Sequence, residues 1–506
     1  MKMNKLVMAC SALFAAGMGT QALAVDLYVS GASALQISFQ KAVADLCNPG
    51  LPRAFFTNAN GQSYQCTSEA SVFGGVAKPL NIWKRNAGGS GFGVFPVANS
   101  SAPAPYNVVT YTSQTGCTVS GTVTIGGVPG WVNNINCPNT LVHRQPDAGL
   151  SDVEPALFGY KNGGPNQLAA AAPIFAQVFG VPVNDKLYRK LQALQGIPPE
   201  PVGVFNPDKA PSLTYAQVRT LFNGTGIQDW SVVHTGITHA GNGNIGAKVC
   251  RRTGTSGTQA VFNALFENNP CGGIEGSRLV TADNNGDNNT VNDGPDTGST
   301  ITNDSVTLAN KAAFFAPTAI DGYTVVMNSG NAQVDACLTK ADVDGELAIG
   351  FLGTERVSGA TPSDDADGFP DQWHYVKLSG GKQSTLVTLG QPAGAGLGHP
   401  LAGASQYQAG AYPSVDNTMA STYDVYAEAT FNRRPGGYTP DVNTLLGLFP
   451  ALMGNPATIV SNNLIGIAAI AANGYDPTLP AHYPTMKGSR NGNTCAPTLL
   501  YYPNSP

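Results

Sequence analysis

Four short stretches place hydroxyl or carboxylate side chains beside glycines, at points where an apolar run begins. In "SGASALQ" Ser33 precedes "ALQISFQKAV", and in "NAGGSGFGVF" Ser90 sits in a glycine cluster. In "TGTSGTQAVF" Ser256, Gly257 and Thr258 open an apolar stretch, with Arg252 four residues ahead of the serine. At such turns the first N–H groups of a helix have no intrahelical acceptor, and the helix dipole adds partial positive charge. Serine or threonine adds a hydroxyl donor, glycine lets a ligand approach the backbone, and Arg252 brings a planar fork of donors. Together these residue types suit a small tetrahedral anion. Singly, each turn reads equally well as a plain helix cap, and Arg252 or its neighbour Arg251 as a cation facing solvent. The fourth stretch, "AGLSDVEP", contributes Asp152, whose plain reading is a cap for "VEPALF". A carboxylate repels a fully ionised anion but accepts a hydrogen bond from one that keeps a proton, so Asp152 is a selectivity element for phosphate over sulfate.

The order and spacing of these stretches resemble the periplasmic phosphate-binding proteins that feed ABC importers, within the type 2 periplasmic binding fold. "GASALQ" resembles the family's "GATFP-like" first turn, which sets Ser33 at the family's threonine and Ala34 at its backbone donor. "GGSGFG" is similar to its "GSSGG" turn and "AGLSDVEP" to its "GASDAPL", which sets Ser90 and Asp152 at the binding serine and aspartate. "RTGTSGT" is similar to its "R-x-D-G-S-G-T", matching Arg252, Ser256, Gly257 and Thr258. "LTYAQVRTLFNGTGIQDWS" resembles the family's helix ending in "G-x-I-x-x-W", and "GELAIGFLG" its "GAIGY" strand. The chain departs from the pattern at Leu35-Gln36, where the family has proline, and in long inserts at about 95–140, 275–310 and 360–415. The resemblance implies an α/β, two-lobed fold with mixed sheets and a central cleft. It also implies binding of inorganic phosphate or a related oxyanion, delivery to an ABC importer, a monomer, and no enzymatic step.

The elements that must hold these residues alternate between strand and helix patterns. "VDLYVSGASALQISFQKAVADLC" and "CRRTGTSGTQAVFNALF" each read as strand, turn, helix, and "GELAIGFLGTE" as a strand ending in glycine. "AAAAPIFAQVFGVPVND" reads as a buried segment leading into a central strand. "SLTYAQVRTLFNG" reads as a helix capped by Ser212 or Thr214. This alternation is an α/β signature. We expect one lobe from residues 25–171 plus 376–506 and a second from 172–375, with the ligand between them. "TADNNGDNNTVNDGPDTGSTITND" (281–304) reads as a solvated loop.

The first 24 residues carry a basic start, an apolar run and an "ALA" ending, which reads as a secretory signal cleaved after Ala24. Eight cysteines remain beyond Cys10, an even number suited to disulfides in an oxidising compartment such as the periplasm. The simplest pairing joins neighbours: 47–66, 117–137, 250–271 and 337–495. A net charge of −5, or about −7 once Lys2 and Lys5 leave with the signal, argues against nucleic acid or anionic lipid as partner. No run approaches the roughly 18 apolar residues of a membrane helix. Two motifs are set aside. "GNGNIG" (241–246) matches a dinucleotide fingerprint but precedes the strand-like "AKVCRR", and "DDADGFPD" offers Asp365, Asp367 and Asp371 without the distal glutamate of a calcium loop. The histidines are scattered, so neither a metal site nor a cofactor is expected. Two other functions remain open: a secreted or surface-associated protein with an adhesion or assembly role, and a phosphoester hydrolase using the same cleft.

Overall fold

The computed structural model describes residues 24–58, 60–98, 109–142, 145–159, 168, 170–198, 200–201, 204–223, 229–237, 245–271, 284–285, 323–328, 330–359, 372–379, 410–419, 422–461, 466–470, 485–486, 488–490 and 492–500. The expected signal segment and "DDADGFPD" therefore lie outside the described residues, apart from Ala24. Among the described residues no helix is long and apolar enough to cross a membrane, and no cluster of side chains could hold a metal ion.

The elements that position the candidate site are, in chain order, β1 (Val25–Gly31), α1 (Gln36–Leu46), β2 (Pro79–Arg85), β3 (Ala148–Ser151), β4 (Ala170–Gly180) and β5 (Pro182–Asn184). They continue with β6 (Lys248–Arg252), α2 (Gly257–Phe266), β7 (Thr324–Asn328), α3 (Asn331–Val343), β8 (Tyr426–Arg433) and α4 (Pro440–Met453). Two mixed sheets result, as expected of the α/β class. In the eleven-stranded sheet β1 lies between β2 and β3 and runs parallel to both, while β8 runs antiparallel to β3 and to β4. In the six-stranded sheet β6 lies parallel to β7 and to strand Ala348–Gly350, which pairs antiparallel with β5.

The chain passes between the sheets where β4 runs through Val181 into β5, and again where Ala348–Gly350 runs into Leu352–Gly353, which pairs with β4. Leu27 and Val29 of β1 alternate onto the face covered by α1 and α4, where Phe39 stacks on Phe449 with ring centroids 5.0 Å apart. Thr439 caps α4 by accepting from the Val442 N–H at 3.3 Å, and Pro440 occupies the first turn, where its missing N–H costs nothing. Around β4, β5 and β6 a second apolar cluster includes Phe179, Val183, Val249 and Phe262, so both crossings run through buried packing. Thr214, not Ser212, caps the helix at 215–223: its hydroxyl accepts from the Gln217 N–H at 3.1 Å and the Gln217 side chain accepts the Thr214 N–H at 2.8 Å.

Three expectations need correction. Cys47–Cys66 and Cys117–Cys137 pair as neighbours, but Cys250 pairs with Cys337 and Cys271 with Cys495. The reason lies in the layers: Cys250 on β6 faces the apolar side of α3, which carries Cys337, so the parallel packing overrides proximity along the chain. Arg251 and Arg252 are both buried, at 1% and 5% exposure, because β6 is a central strand covered on both faces. Within the loop expected over 281–304, Asn284–Asn285 extends the smaller sheet beside β7. The Cys271–Cys495 bridge ties the end of α2 to a C-terminal segment whose Thr494 donates to Glu154 through both its N–H and its hydroxyl, each at 2.7 Å.

Candidate functional site

The quoted stretches follow the C-terminal ends of parallel strands: Ser33 after β1, Ser90 after β2, Asp152 after β3 and the 252–258 turn after β6. Parallel α/β sheets leave a crevice there, because the helices that follow diverge to opposite faces. Gly31 adopts φ +101° and has the backbones of Leu150 and Gly93 where a Cβ would be, so only glycine allows these strand ends to meet.

Ser90, Asp152 and Gly257 come together. The Ser90 hydroxyl donates to Asp152 Oδ2 at 2.9 Å and lies 3.0 Å from the Asp152 N–H. A Cβ on Gly257 would approach Asp152 Oδ2 to 2.7 Å, so the first turn of α2 packs directly on the carboxylate. The Gly91 N–H donates to Thr255 O at 3.0 Å, which closes the two halves of the molecule against each other at this point. Ser256 caps α2 by accepting from the Gln259 N–H at 3.4 Å, and Thr258 is buried one residue into that helix after Gly257. Asp152 is not the cap of the segment after it; Glu154 occupies that position. Asp152 Oδ1 is buried and has no hydrogen-bond partner among the described residues.

Arg252, at the end of β6, acts on the same carboxylate through its charge. Its Nε donates to Asn328 O at 3.3 Å and its Nη1 to Asn331 Oδ1, while Asn331 Nδ2 donates to Glu355 Oε1 at 2.8 Å. Burial raises the Asp152 carboxyl to about 6; the Ser90 hydrogen bond opposes this, Glu355 adds to it, and the charges of Arg252 and Lys84 oppose it. The site thus holds two carboxylates and two cations within electrostatic reach, with one acceptor oxygen unspent.

Beside this cluster a cavity of about 360 Å³ opens between the halves, with Ser33, Gln36, Asn86 and Gly89 on one wall and Arg252, Asn331, Gln333 and Arg356 on the other. Ser33 is exposed in its turn and does not cap α1, which begins after Leu35 without a side-chain cap. Ala34, in the same turn, does not line the cavity. Ser33 and Arg252 therefore face one space, while Ser90, Asp152 and Gly257 pack together beside it without lining it.

Sequence reasoning missed Lys84. Fully buried on β2, its ammonium donates to Gly31 O at 2.5 Å, Arg85 O at 2.8 Å and Asn86 Oδ1 at 2.9 Å, so it ties the turn after β1 to the turn after β2. Burial lowers its pKa to about 7, against the charge of Asp152 and with that of Arg85. The signal was available: Leu80, Ile82 and Lys84 alternate onto one buried face of β2, where a lysine needs a reason.

No protein-family model and no curated relative matches the chain. Similar solved structures include one described as a phosphate ABC transporter substrate-binding protein with bound phosphate from Clostridium perfringens, at 11% identity and TM-score 0.38, covering 87% of this chain and 99% of that one. A second is an ABC-type phosphate transport receptor from Vibrio cholerae, at 11% identity and TM-score 0.36, covering 87% of this chain and 100% of that one. Likeness at this level leaves the chemistry to this chain's own residues.

Proposed function

We propose that this chain is an exported solute-binding protein that holds a protonated tetrahedral oxyanion, inorganic phosphate or a close relative, between its two halves for uptake by an ABC importer. The observation that carries the reading is the buried Asp152 Oδ1, an acceptor without a donor among the described residues, beside the first turn of α2 and within electrostatic reach of Arg252. A ligand that brings its own proton satisfies that oxygen, whereas sulfate faces it with a second negative charge. Arg252 supplies charge, Ser33 a hydroxyl on the opposite wall, and Gly257 and Thr258 the N–H groups of the α2 turn that Ser256 caps. The function is binding with closure of the cleft, and no bond is made or broken.

Calorimetry on the purified protein with phosphate, arsenate and sulfate tests this. Phosphate and arsenate should bind and sulfate fail, and Arg252→Ala should weaken phosphate binding by at least a hundredfold. Sulfate binding as tightly as phosphate, or an unchanged Arg252→Ala affinity, refutes the reading. A second reading, a surface-associated assembly role, is favoured by the exposed strand 118–125, where Val119 is 66% exposed. Recovery of the protein in the culture medium instead of the periplasm would favour it.

A further inference from the structure

The volume and lining of the cleft bear on what accompanies the oxyanion. A space of about 360 Å³ holds roughly a dozen water molecules at ~30 Å³ each. A phosphate ion, one phosphorus and its oxygens, fills only a few of those places. The halves already touch beside this space, where Gly91 is hydrogen-bonded to Thr255 and Gly257 leaves no room for a methyl group against Asp152.

The lining then narrows the chemistry. Neither an aromatic ring nor a large aliphatic side chain contributes, which disfavours a nucleobase or an acyl chain. No carboxylate lines it, while two guanidinium groups, Arg252 and Arg356, do. The rest is amide, hydroxyl, glycine and the small side chains of Ala87 and Ala332. Gln36 accepts from Asn86 Nδ2 at 3.1 Å, and Gln62 accepts from the Tyr64 hydroxyl at 2.5 Å and from Gln40 Nε2 at 3.2 Å. Each therefore keeps its NH₂ group without a partner among the described residues, and the Ser33 hydroxyl is likewise unengaged. These donors lie on the wall opposite Arg252. Two cations with a row of neutral donors match a negatively charged group joined to a hydroxyl-bearing body.

Building on the oxyanion reading above, we propose that the preferred occupant is a phosphomonoester of a small polyol or sugar, its phosphoryl group toward Arg252 and its hydroxyls against Gln36, Gln62 and Ser33. A monoester carries a proton for Asp152 only as its monoanion, which ionises at about pH 6, so the titrations are run at about pH 5.5, where ester and free phosphate both hold at least one.

The test is a set of calorimetric titrations of the intact purified protein with glucose 6-phosphate, glycerol 3-phosphate, inorganic phosphate and glucose. At least one ester should bind ten times more tightly than inorganic phosphate, with glucose alone not binding. In Gln36→Ala the ratio of ester to phosphate affinity should fall about tenfold. Circular dichroism confirms that this variant, altered at a half-exposed position, remains folded. Inorganic phosphate binding as tightly as both esters overturns the proposal and leaves the oxyanion reading intact. Failure of phosphate and esters alike overturns both.

Discussion

Replacing Asp152 with asparagine should stabilise the ligand-free protein at neutral pH while removing its ability to receive a protonated anion. Burial lifts the carboxyl from its ordinary 3.8 to about 6. At about 1.4 kcal/mol for each tenfold change in proton affinity, ionised Asp152 costs the fold about 3 kcal/mol. The sign follows from proton counting. Between about pH 4 and pH 6 the folded state holds a proton that the unfolded state has released, so stability falls as pH rises through that window. Below it both states are protonated and the group contributes nothing. Above it the full cost is present. Asparagine keeps the shape and the contact with Ser90 without the charge. The unfolding free energies of wild type and Asp152→Asn, from urea titrations in phosphate-free buffer, should therefore agree within about 1 kcal/mol at pH 4. At pH 7.5 they should separate by up to about 3 kcal/mol in favour of the variant. Taking the difference between the proteins cancels the titration of every group not coupled to Asp152; Lys84, whose proton affinity the Asp152 charge raises, loses that support in the variant. A variant less stable than wild type at pH 7.5, or a gap that does not widen with pH, would show that Lys84 and Arg252 fully compensate the carboxylate and that no ligand is needed to satisfy it.

Two further outcomes follow from the packing. Gly257→Ala puts a methyl group against Asp152 and should lower stability by about 1–3 kcal/mol and weaken phosphate binding, read by urea titration and calorimetry; an unchanged midpoint would mean the α2 turn does not dock there. Peptide mapping without reductant should recover Cys250 with Cys337 and Cys271 with Cys495, and a Cys271→Ser/Cys495→Ser variant should lose about 2–5 kcal/mol; a 250–271 peptide would refute the layer packing.

The site was legible in the sequence where glycine and hydroxyl residues cluster at strand ends, because those positions are fixed by local turn chemistry. Ser90 and Asp152, which follow parallel strands, meet Gly257 in the first turn of α2. What was not legible depends on the third dimension. The partner of Cys250 is decided by which face of β6 the helix α3 covers, and the chain between them does not encode that face locally. Lys84 was hidden for a related reason: the acceptor that ties it to the first turn is the Gly31 carbonyl, more than fifty positions away, and a backbone oxygen leaves no trace in residue type. Arg251 looked like a solvated neighbour of Arg252 because strand alternation assumes one wet face, whereas β6 has none.

The Cys271–Cys495 bridge has a kinetic consequence. It joins the far end of the helix that presents the α2 turn to the segment that grips Glu154, so the helix and that segment are leashed to each other. A leash leaves the gripping strength of the shut form alone but narrows the swing available when it gapes. On the binding reading proposed above, shutting then forfeits less disorder than in an untethered pair, and a bound solute would leave through a smaller doorway.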